Sequence, residues 1–541
     1  MKRRKLTFLA AVVAASALVL TGCSSNSGGG NSAPVEAGDP VPGGTLRLQI
    51  NQDAPHLNRN ILSQPSLSLT TPLWGEQLID HNEKGELVPA LAESWDVSAD
   101  GLTYTFKLRA GVKWHDGKDF KASDVVWTLK NSMPLNPRTA AAWKITSSIE
   151  APDDLTVVMK MSEQYGPLLP LLSGNLMVML PEHVYAGGDL AENAANSAPI
   201  GTGPFKFTKW DRGQQITFQK NEDYWQKDQP YFDDVVVRVI GTEVTAANAV
   251  KNNEIDVLTS SEMSPQVYKD LKAQKNLVER VSTAMPSQYV LGFNTYSGET
   301  SKVEVRRALV QAIDREQIYK TVFGGIGGEV PPSVLPSAFK QLTDTKNTYE
   351  AAYPFDKEAA AKALDAAGFP MKGNERFTID LLVPMGDVYL NPANVIKAQL
   401  QEIGVNVNVE QLDEQSHADR VYIKHDYDLY LSSYLSDVDP AIGVERLYSC
   451  NTLDKIYGNG TGYCNETVQG AFDKARGLTD VTERQKQYSI ATQQIIEDMP
   501  RLALINYAGS AFFSQKLANI PEQFSIGDGA NSNWANSWFV K

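Results

Sequence analysis

The sequence has few of the residues on which metal and redox chemistry depend. Only three cysteines and six histidines occur among 541 residues. It contains no His-Glu-x-x-His pattern, no Cys/His cluster with zinc spacing and no Gly-x-Ser-x-Gly elbow. Carboxylates are plentiful, but no two are paired in sequence as a catalytic acid and base, although such pairs can be assembled in three dimensions. We therefore expect that the protein is not an enzyme and that it has no catalytic residue, bound metal or cofactor.

Long apolar runs are also absent, apart from one at the N-terminus. Four positive residues precede an apolar run from Leu6 to Leu20, which ends in Leu20-Thr21-Gly22-Cys23. This pattern is typical of a secretory signal over residues 1–22, and its end resembles the lipobox of bacterial lipoproteins. The resemblance implies that Cys23 is acylated and becomes the first residue, anchoring the chain at the extracytoplasmic face of the cell membrane. The alternative is an uncleaved anchor helix.

Basic residues are outnumbered by acidic ones. The formal net charge is −14, and removal of a signal with four positive charges would make it −18. Such an acidic surface repels nucleic acid, so we expect no nucleic-acid partner. Residues 23–43 are rich in Ser, Gly, Asn and Pro without apolar periodicity, which predicts a flexible tether.

Two cysteines remain after Cys23, namely Cys450 and Cys464. An even pair at short separation in an exported protein predicts a disulfide. Two free buried thiols are the alternative.

Apolar periodicity predicts an α/β fold. Phe377–Val383 and Val405–Val409 have the pattern of strands, and a helical pattern lies between them, with Asn391-Pro392 as a predicted cap and first-turn proline. A strand, a helix and a strand at this spacing form a βαβ unit with parallel strands. A further strand is predicted over Tyr427–Ser433.

Several motifs carry a resemblance to a known family. In chain order they are Leu91-Ala92-Glu93-Ser94-Trp95, Tyr104-Thr105-Phe106-Lys107-Leu108-Arg109, Gly111-Val112-Lys113-Trp114-His115-Asp116-Gly117, Ile200-Gly201-Thr202-Gly203-Pro204-Phe205, Asn221-Glu222-Asp223-Tyr224-Trp225, Phe293-Asn294-Thr295, Ala312-Ile313-Asp314-Arg315 and Ala366-Ala367-Gly368-Phe369. Their order and spacing resemble the extracellular solute-binding proteins of peptide-type ABC importers, family 5. Most of these motifs are scaffold, and a structural role is expected for His115.

The resemblance implies a two-lobed, periplasmic-binding-protein-like fold. The first lobe is expected over residues 44–288 and 508–541, with an inserted subdomain over about 78–194. The second is expected over residues 289–507. Two hinge crossings would join the lobes, near Leu291–Asn294 and Leu504–Tyr507.

The site is expected beyond the carboxyl ends of two strands, because ligands bind there in open parallel sheets. One strand leads into Asp387 and Tyr389, and the other into Tyr434, Ser436 and Asp437. In the family, residues at the positions of Asp437 and Tyr434 grip a peptide's ammonium group and pack on the peptide. Asp439 fits a turn residue better. Dipeptide binders carry an arginine near the position of Asp387, but Asp387-Val388-Tyr389 has none, which favours a longer peptide, a sugar or a cation.

The implied function is capture of a small solute, an oligopeptide before other classes, and its delivery to an ABC permease with its ATPase. We expect a monomer. The alternative is a surface lipoprotein that binds or senses a peptide, an oligosaccharide or a metal complex without transport.

Overall fold

A computed structural model describes residues 38–61, 65–82, 86–136, 138–173, 177–260, 263–281, 287–437, 439–450, 455, 457–507, 509–520 and 534–540. The predicted signal and Cys23 lie outside the described residues, as does most of the predicted tether. Among the helices described, none is long and apolar enough to cross a membrane.

The described strands are, in chain order, β1 Thr45–Ile50, β2 Ile79–His81, β3 Leu87–Pro89, β4 Ala92–Val97, β5 Thr103–Leu108, β6 Thr146–Asp153, β7 Thr156–Met161, β8 Phe205–Asp211, β9 Gln215–Lys220, β10 Asp234–Val239, β11 Val257–Ser260, β12 Leu277–Val281, β13 Ser287–Phe293, β14 Gly328–Glu329, β15 Phe377–Pro384, β16 Val405–Leu412, β17 Leu429–Leu435, β18 Arg501–Tyr507, β19 Ser510–Ser514, β20 Leu517–Ala518 and β21 Trp538–Phe539.

The described α-helices are α1 Pro65–Trp74, α2 Ala122–Ser132, α3 Ala140–Lys144, α4 Leu168–Leu171, α5 Glu182–Tyr185, α6 Glu243–Lys251, α7 Pro265–Lys272, α8 Val303–Gln311, α9 Arg315–Val322, α10 Tyr349–Ala352, α11 Lys357–Ala366, α12 Asp387–Gln401, α13 Glu414–Ala418, α14 Pro440–Gly443, α15 Glu466–Arg476 and α16 Val481–Asp498.

A six-stranded sheet organises the second half of the chain, in the order β14-β18-β13-β17-β15-β16. Strand β15 runs parallel to both β16 and β17, whereas β13 is antiparallel to β17 and β18. The parallel β15–α12–β16 unit confirms the predicted βαβ arrangement. The expected crossings at Leu291–Asn294 and Leu504–Tyr507 fall largely within strands β13 and β18 of this one sheet.

The predicted start of helix α12 was wrong. The helix begins at Asp387, and Pro392 lies inside it. The turn before the proline is helical because Tyr389 N and Leu390 N both donate to the Gly386 carbonyl. Proline lacks an N–H, and its ring crowds the carbonyl four residues earlier, that of Val388. Neither effect reaches the Gly386 carbonyl, so the turn upstream can form.

The first half of the chain, with its C-terminal segment, builds separate sheets. Their orders are β1-β10-β9-β8, β4-β5-β7-β6 and β11-β19-β12. Sheet membership thus changes between β12 and β13, and again between β18 and β19. One apolar core lies within residues 289–507, a second within 78–179 together with Ile442, and a third joins residues 46–257 to the C-terminal segment.

The glycine-rich motif Gly201-Thr202-Gly203 is scaffold. A Cβ at Gly201 would lie 1.8 Å from the Trp74 carbonyl oxygen, so only glycine permits this approach of two backbones. The His115 ring holds the motif, because Gly201 N donates to Nδ1 and Nε2 lies 2.9 Å from the Gly203 oxygen. Burial lowers the pKa of His115 to about 4, so the ring is neutral in this bridge.

Candidate functional site

The end of strand β17 presents the predicted residues Tyr434, Ser436 and Asp437, and all three are buried. The Tyr434 hydroxyl lies 2.5 Å from the Tyr422 hydroxyl. The Ser436 hydroxyl has no hydrogen-bond partner among the described residues. A buried hydroxyl without a partner is costly, so this group has capacity for a bond to a bound solute or to water.

The Asp437 carboxylate already has a charged partner within the chain. Arg138 Nε lies 2.9 Å from Asp437 Oδ1, and the side chains are 16% and 2% exposed respectively. Arg138 comes from the connection between α2 and α3, far from Asp437 in sequence. No sequence pattern indicated this pairing.

The backbone around Asp437 is tightly built. Asp437 has φ +54°, in the left-handed region. A Cβ at Gly443 would lie 1.9 Å from the Ser436 carbonyl oxygen, so glycine lets helix α14 fold back onto this turn. Asp439 caps α14 by accepting from Ala441 N, and its two carboxylate oxygens accept from Arg484 at 2.7 and 2.8 Å. It is therefore a turn residue, held in addition by a buried ion pair.

Tyr389 and Asp387 lie in the first turn of α12, at the end of β15. The Tyr389 side chain is half-buried, and its hydroxyl forms a 2.8 Å hydrogen bond with the Ser433 hydroxyl. Asp387 is exposed. Ser433 and Tyr434 are consecutive in a strand, so their side chains leave opposite faces of the sheet. The structure thus brings Tyr389 to β17, but on the face opposite Tyr434.

A cluster of tyrosines around Arg501 supports Tyr434 from behind. Arg501 is fully buried, and its guanidinium carbon lies 4.9 Å from the Tyr434 ring centroid, with two further tyrosine rings, those of Tyr430 and Tyr448, within 5.7 Å. Arg501 Nη2 donates to the Tyr430 hydroxyl at 2.6 Å. The cluster requires Gly292, because a Cβ there would lie 2.2 Å from the Tyr430 ring. The side chain of Tyr434 is therefore fixed in position.

Tyr457 and Arg446 complete the surroundings of Tyr434. The Arg446 guanidinium lies 5.6 Å from the Tyr434 ring, on which it acts as a cation–π partner, and it donates to the Tyr457 carbonyl. The Tyr457 hydroxyl donates to Glu414, and its ring is 42% exposed. Sequence reasoning missed both residues.

The disulfide between Cys450 and Cys464 is present, as predicted. The two Cα atoms are 4.9 Å apart. Cys450 also anchors helix α15, because its backbone N–H donates to the Gln469 side chain. The bond fixes the segment that follows Asp439 and α14.

A second contact joins residues 78–179 to the part of the chain that follows β17. Gly166 N donates to the Arg476 carbonyl at 2.7 Å. Ile442 packs in the apolar core of residues 78–179. Glu445, which is 1% exposed, lies behind this contact and accepts from the Tyr488 hydroxyl at 2.9 Å. Burial raises the pKa of Glu445 to about 8, against the opposing effect of Arg476.

The described residues contain no group of three or more His, Cys, Asp or Glu side chains arranged to hold a metal ion. The side chains at the end of β17 are aromatic, hydroxyl and charged groups set in a rigid frame. Such a surface suits binding of a polar organic solute.

Comparison with known proteins decides the family. The sequence model for bacterial extracellular solute-binding proteins, family 5, middle region, matches residues 86–454. The chain belongs to this family. The oligopeptide-binding protein AppA of Bacillus subtilis is 28% identical to this solute-binding protein over 517 residues, covering 92% of this chain and 93% of AppA. Members bind solutes for transport, so the protein is not an enzyme.

Solved structures show the same two-lobed periplasmic-binding-protein fold. The DppA protein of Helicobacter pylori, in complex with the peptide STSA, matches this solute-binding protein with a TM-score of 0.77 at 24% identity, covering 93% of this chain and 99% of DppA. NikZ of Campylobacter jejuni, in complex with Ni(L-His), matches with a TM-score of 0.75 at 23% identity, covering 91% of this chain and 99% of NikZ. The fold alone therefore leaves the solute open.

Proposed function

We propose that this protein is the solute-binding component of an ABC importer, and that it captures an oligopeptide between its lobes for delivery to a permease. The observation that carries the proposal is that the carboxyl ends of two neighbouring strands of the six-stranded sheet lie side by side. Parallel strands β15 and β17 are neighbours, and Tyr389, after β15, bonds to Ser433 near the end of β17. This is where an open parallel sheet binds ligands. The AppA relative is named as an oligopeptide-binding protein.

The proposed ligand contacts divide by chemistry. The half-buried ring of Tyr389 offers an aromatic wall, and the unpartnered Ser436 hydroxyl offers a hydrogen bond. Asp437 lies at the end of the site and Asp387 at its exposed rim, whereas Tyr434 faces away from Tyr389 and packs against Arg501. The neutral contacts suit peptide backbone groups, which all oligopeptides share.

We also propose the lobe boundaries and the anchor. Residues 44–288 with 508–541 form one lobe, carrying the subdomain of about 78–194, and residues 289–507 form the other. This division agrees with the change of sheet on either side of β13 and β18. Acylated Cys23 holds the protein at the membrane, where released cargo meets the permease.

Uptake by cells tests this function. A strain lacking the gene should lose uptake of a radiolabelled pentapeptide, supplied in free and N-acetylated forms, and plasmid-borne wild type should restore it. A plasmid carrying the Tyr389→Ala, Ser436→Ala double variant, checked for expression and folding, tests the proposed contacts. It should restore little peptide uptake. Unchanged peptide uptake in the deletion strain, with altered expression of other genes, would favour the binding or sensing lipoprotein instead.

A further inference from the structure

The pairing of Asp437 with Arg138 bears on which solutes the site accepts. Asp437 belongs to the segment after β17, and Arg138 to the connection between α2 and α3. Their side-chain atoms are 2.9 Å apart, and the Asp437 side chain is only 2% exposed. The two groups form a buried ion pair, and Asp437 Oδ1 has no hydrogen-bond partner among the described residues.

The surrounding structure holds Asp437 in place for this contact. Its left-handed backbone and the fold-back at Gly443 fix the position of the carboxylate. The ion pair of Asp439 with Arg484 anchors the next turn. Arg446 adds a second favourable charge interaction with Asp437. The carboxylate therefore lies in a field set by two arginines of the same chain.

An ammonium group brought to this carboxylate would meet the guanidinium of Arg138 at the same time. Like charges at such short range in a poorly solvated site repel strongly. A solute group without positive charge meets no such repulsion from Arg138. The ion pair thus removes the attraction that a lone buried aspartate would exert on a free amino terminus.

We propose that Arg138 is a specificity-determining residue, which makes the site select peptides whose group next to Asp437 is uncharged, such as an acylated amino terminus. This inference rests on the proposed binding of peptides. It assigns Asp437 the role of a partner for Arg138, which closes the end of the site, and it makes the neutral contacts of Tyr389 and Ser436 the main recognition elements.

Two probes test the inference by calorimetric titration: tetra-alanine with a free amino terminus, and N-acetyl-tetra-alanine. The Arg138→Gln variant frees the Asp437 carboxylate, so it should bind the free-amine peptide at least tenfold more tightly than wild type does, with no gain for the acetylated form. Adding Asp437→Asn to Arg138→Gln should cancel the gain. Arg138→Lys keeps the cation and should behave as wild type.

A matched control is Lys130→Gln, which removes a positive charge from an exposed residue of α2. It should leave both affinities unchanged, and thermal unfolding should show that every variant is folded. If Arg138→Gln gains no affinity for the free-amine peptide, or gains it equally with Asp437→Asn present, the inference is wrong. If wild type and every variant are folded and bind neither probe, the proposed oligopeptide function is wrong. Binding of the free-amine peptide by Arg138→Gln, where wild type binds none, would support the inference.

Discussion

Gly166 offers a direct test of how the proposed subdomain of residues 78–194 meets the second lobe. A Cβ at position 166 would lie 2.3 Å from the Leu478 carbonyl oxygen. That is about 1 Å short of an ordinary contact, so Gly166→Ala must push the two segments apart. Gly166 does not have the left-handed backbone that would itself disfavour alanine. The substitution therefore acts at this contact and not on the local fold.

The expected magnitude follows from two effects. Separation breaks the bond from Gly166 N to the Arg476 carbonyl, which contributes about 1 kcal/mol, and overpacking costs about 1–3 kcal/mol. If solute binding requires this contact to form, affinity should fall by roughly 30-fold or more, at about 1.4 kcal/mol per decade. The stability of the ligand-free protein should change little.

The assay is calorimetric titration of the bound solute, once identified, with denaturant unfolding of the ligand-free protein in parallel. Gly188→Ala is the matched control, because Gly188 has open space around its Cβ position and no left-handed backbone. Normal solute affinity in Gly166→Ala would show that solute binding does not require this contact. Equal destabilisation of the ligand-free protein would show that the contact is permanent and takes no part in closure.

Three further predictions concern other parts of the chain. Cys23→Ser should abolish metabolic labelling with palmitate, and undiminished label would contradict the lipobox interpretation. Reduction of the Cys450–Cys464 bond should destabilise the folded protein by roughly 3 kcal/mol, because the unfolded chain gains conformational entropy when the cross-link is removed. Denaturant unfolding with and without reductant measures this difference. The folded-state pKa of Glu445, about 8, lies above its ordinary value of 4.5, so the folded state binds the proton more tightly and stability is lost as pH rises between these values. The unfolding free energy of wild type relative to Glu445→Gln should therefore be higher at pH 5 than at pH 8, and a pH-independent difference would contradict the assignment.

Local sequence patterns predicted the elements that depend on neighbouring residues. The alternation in Val405–Val409 and the helical period before it correctly predicted the parallel βαβ unit. Apolar residues that bury one face of a strand or helix recur with the period of that element, so they can be recognised from neighbouring residues alone. The paired cysteines correctly predicted the disulfide. The helix start was misplaced, because the Gly386 carbonyl closes a turn upstream of Pro392, and sequence signals for a first-turn proline do not report such bonds.

Contacts between distant segments could not be predicted in this way. Arg138 meets Asp437, and Gly166 meets Arg476, only because separate elements dock, and no local period encodes which surfaces meet. The buried Arg501 among tyrosines was missed for the same reason, since a charged residue at the start of a strand is usually exposed. The roles of Asp387, Tyr389, Tyr434, Ser436 and Asp437 in solute binding stay predictions.

Native mass spectrometry of the protein, purified from bacteria without refolding, tests most directly whether it captures a small solute. We expect a population heavier than the polypeptide by the mass of a peptide-sized molecule, and loss of this increment when the protein is unfolded. Tandem fragmentation of the released molecule should identify a peptide. A protein that carries no such molecule, and that gains none when incubated with a peptide digest, would show that it does not capture peptides.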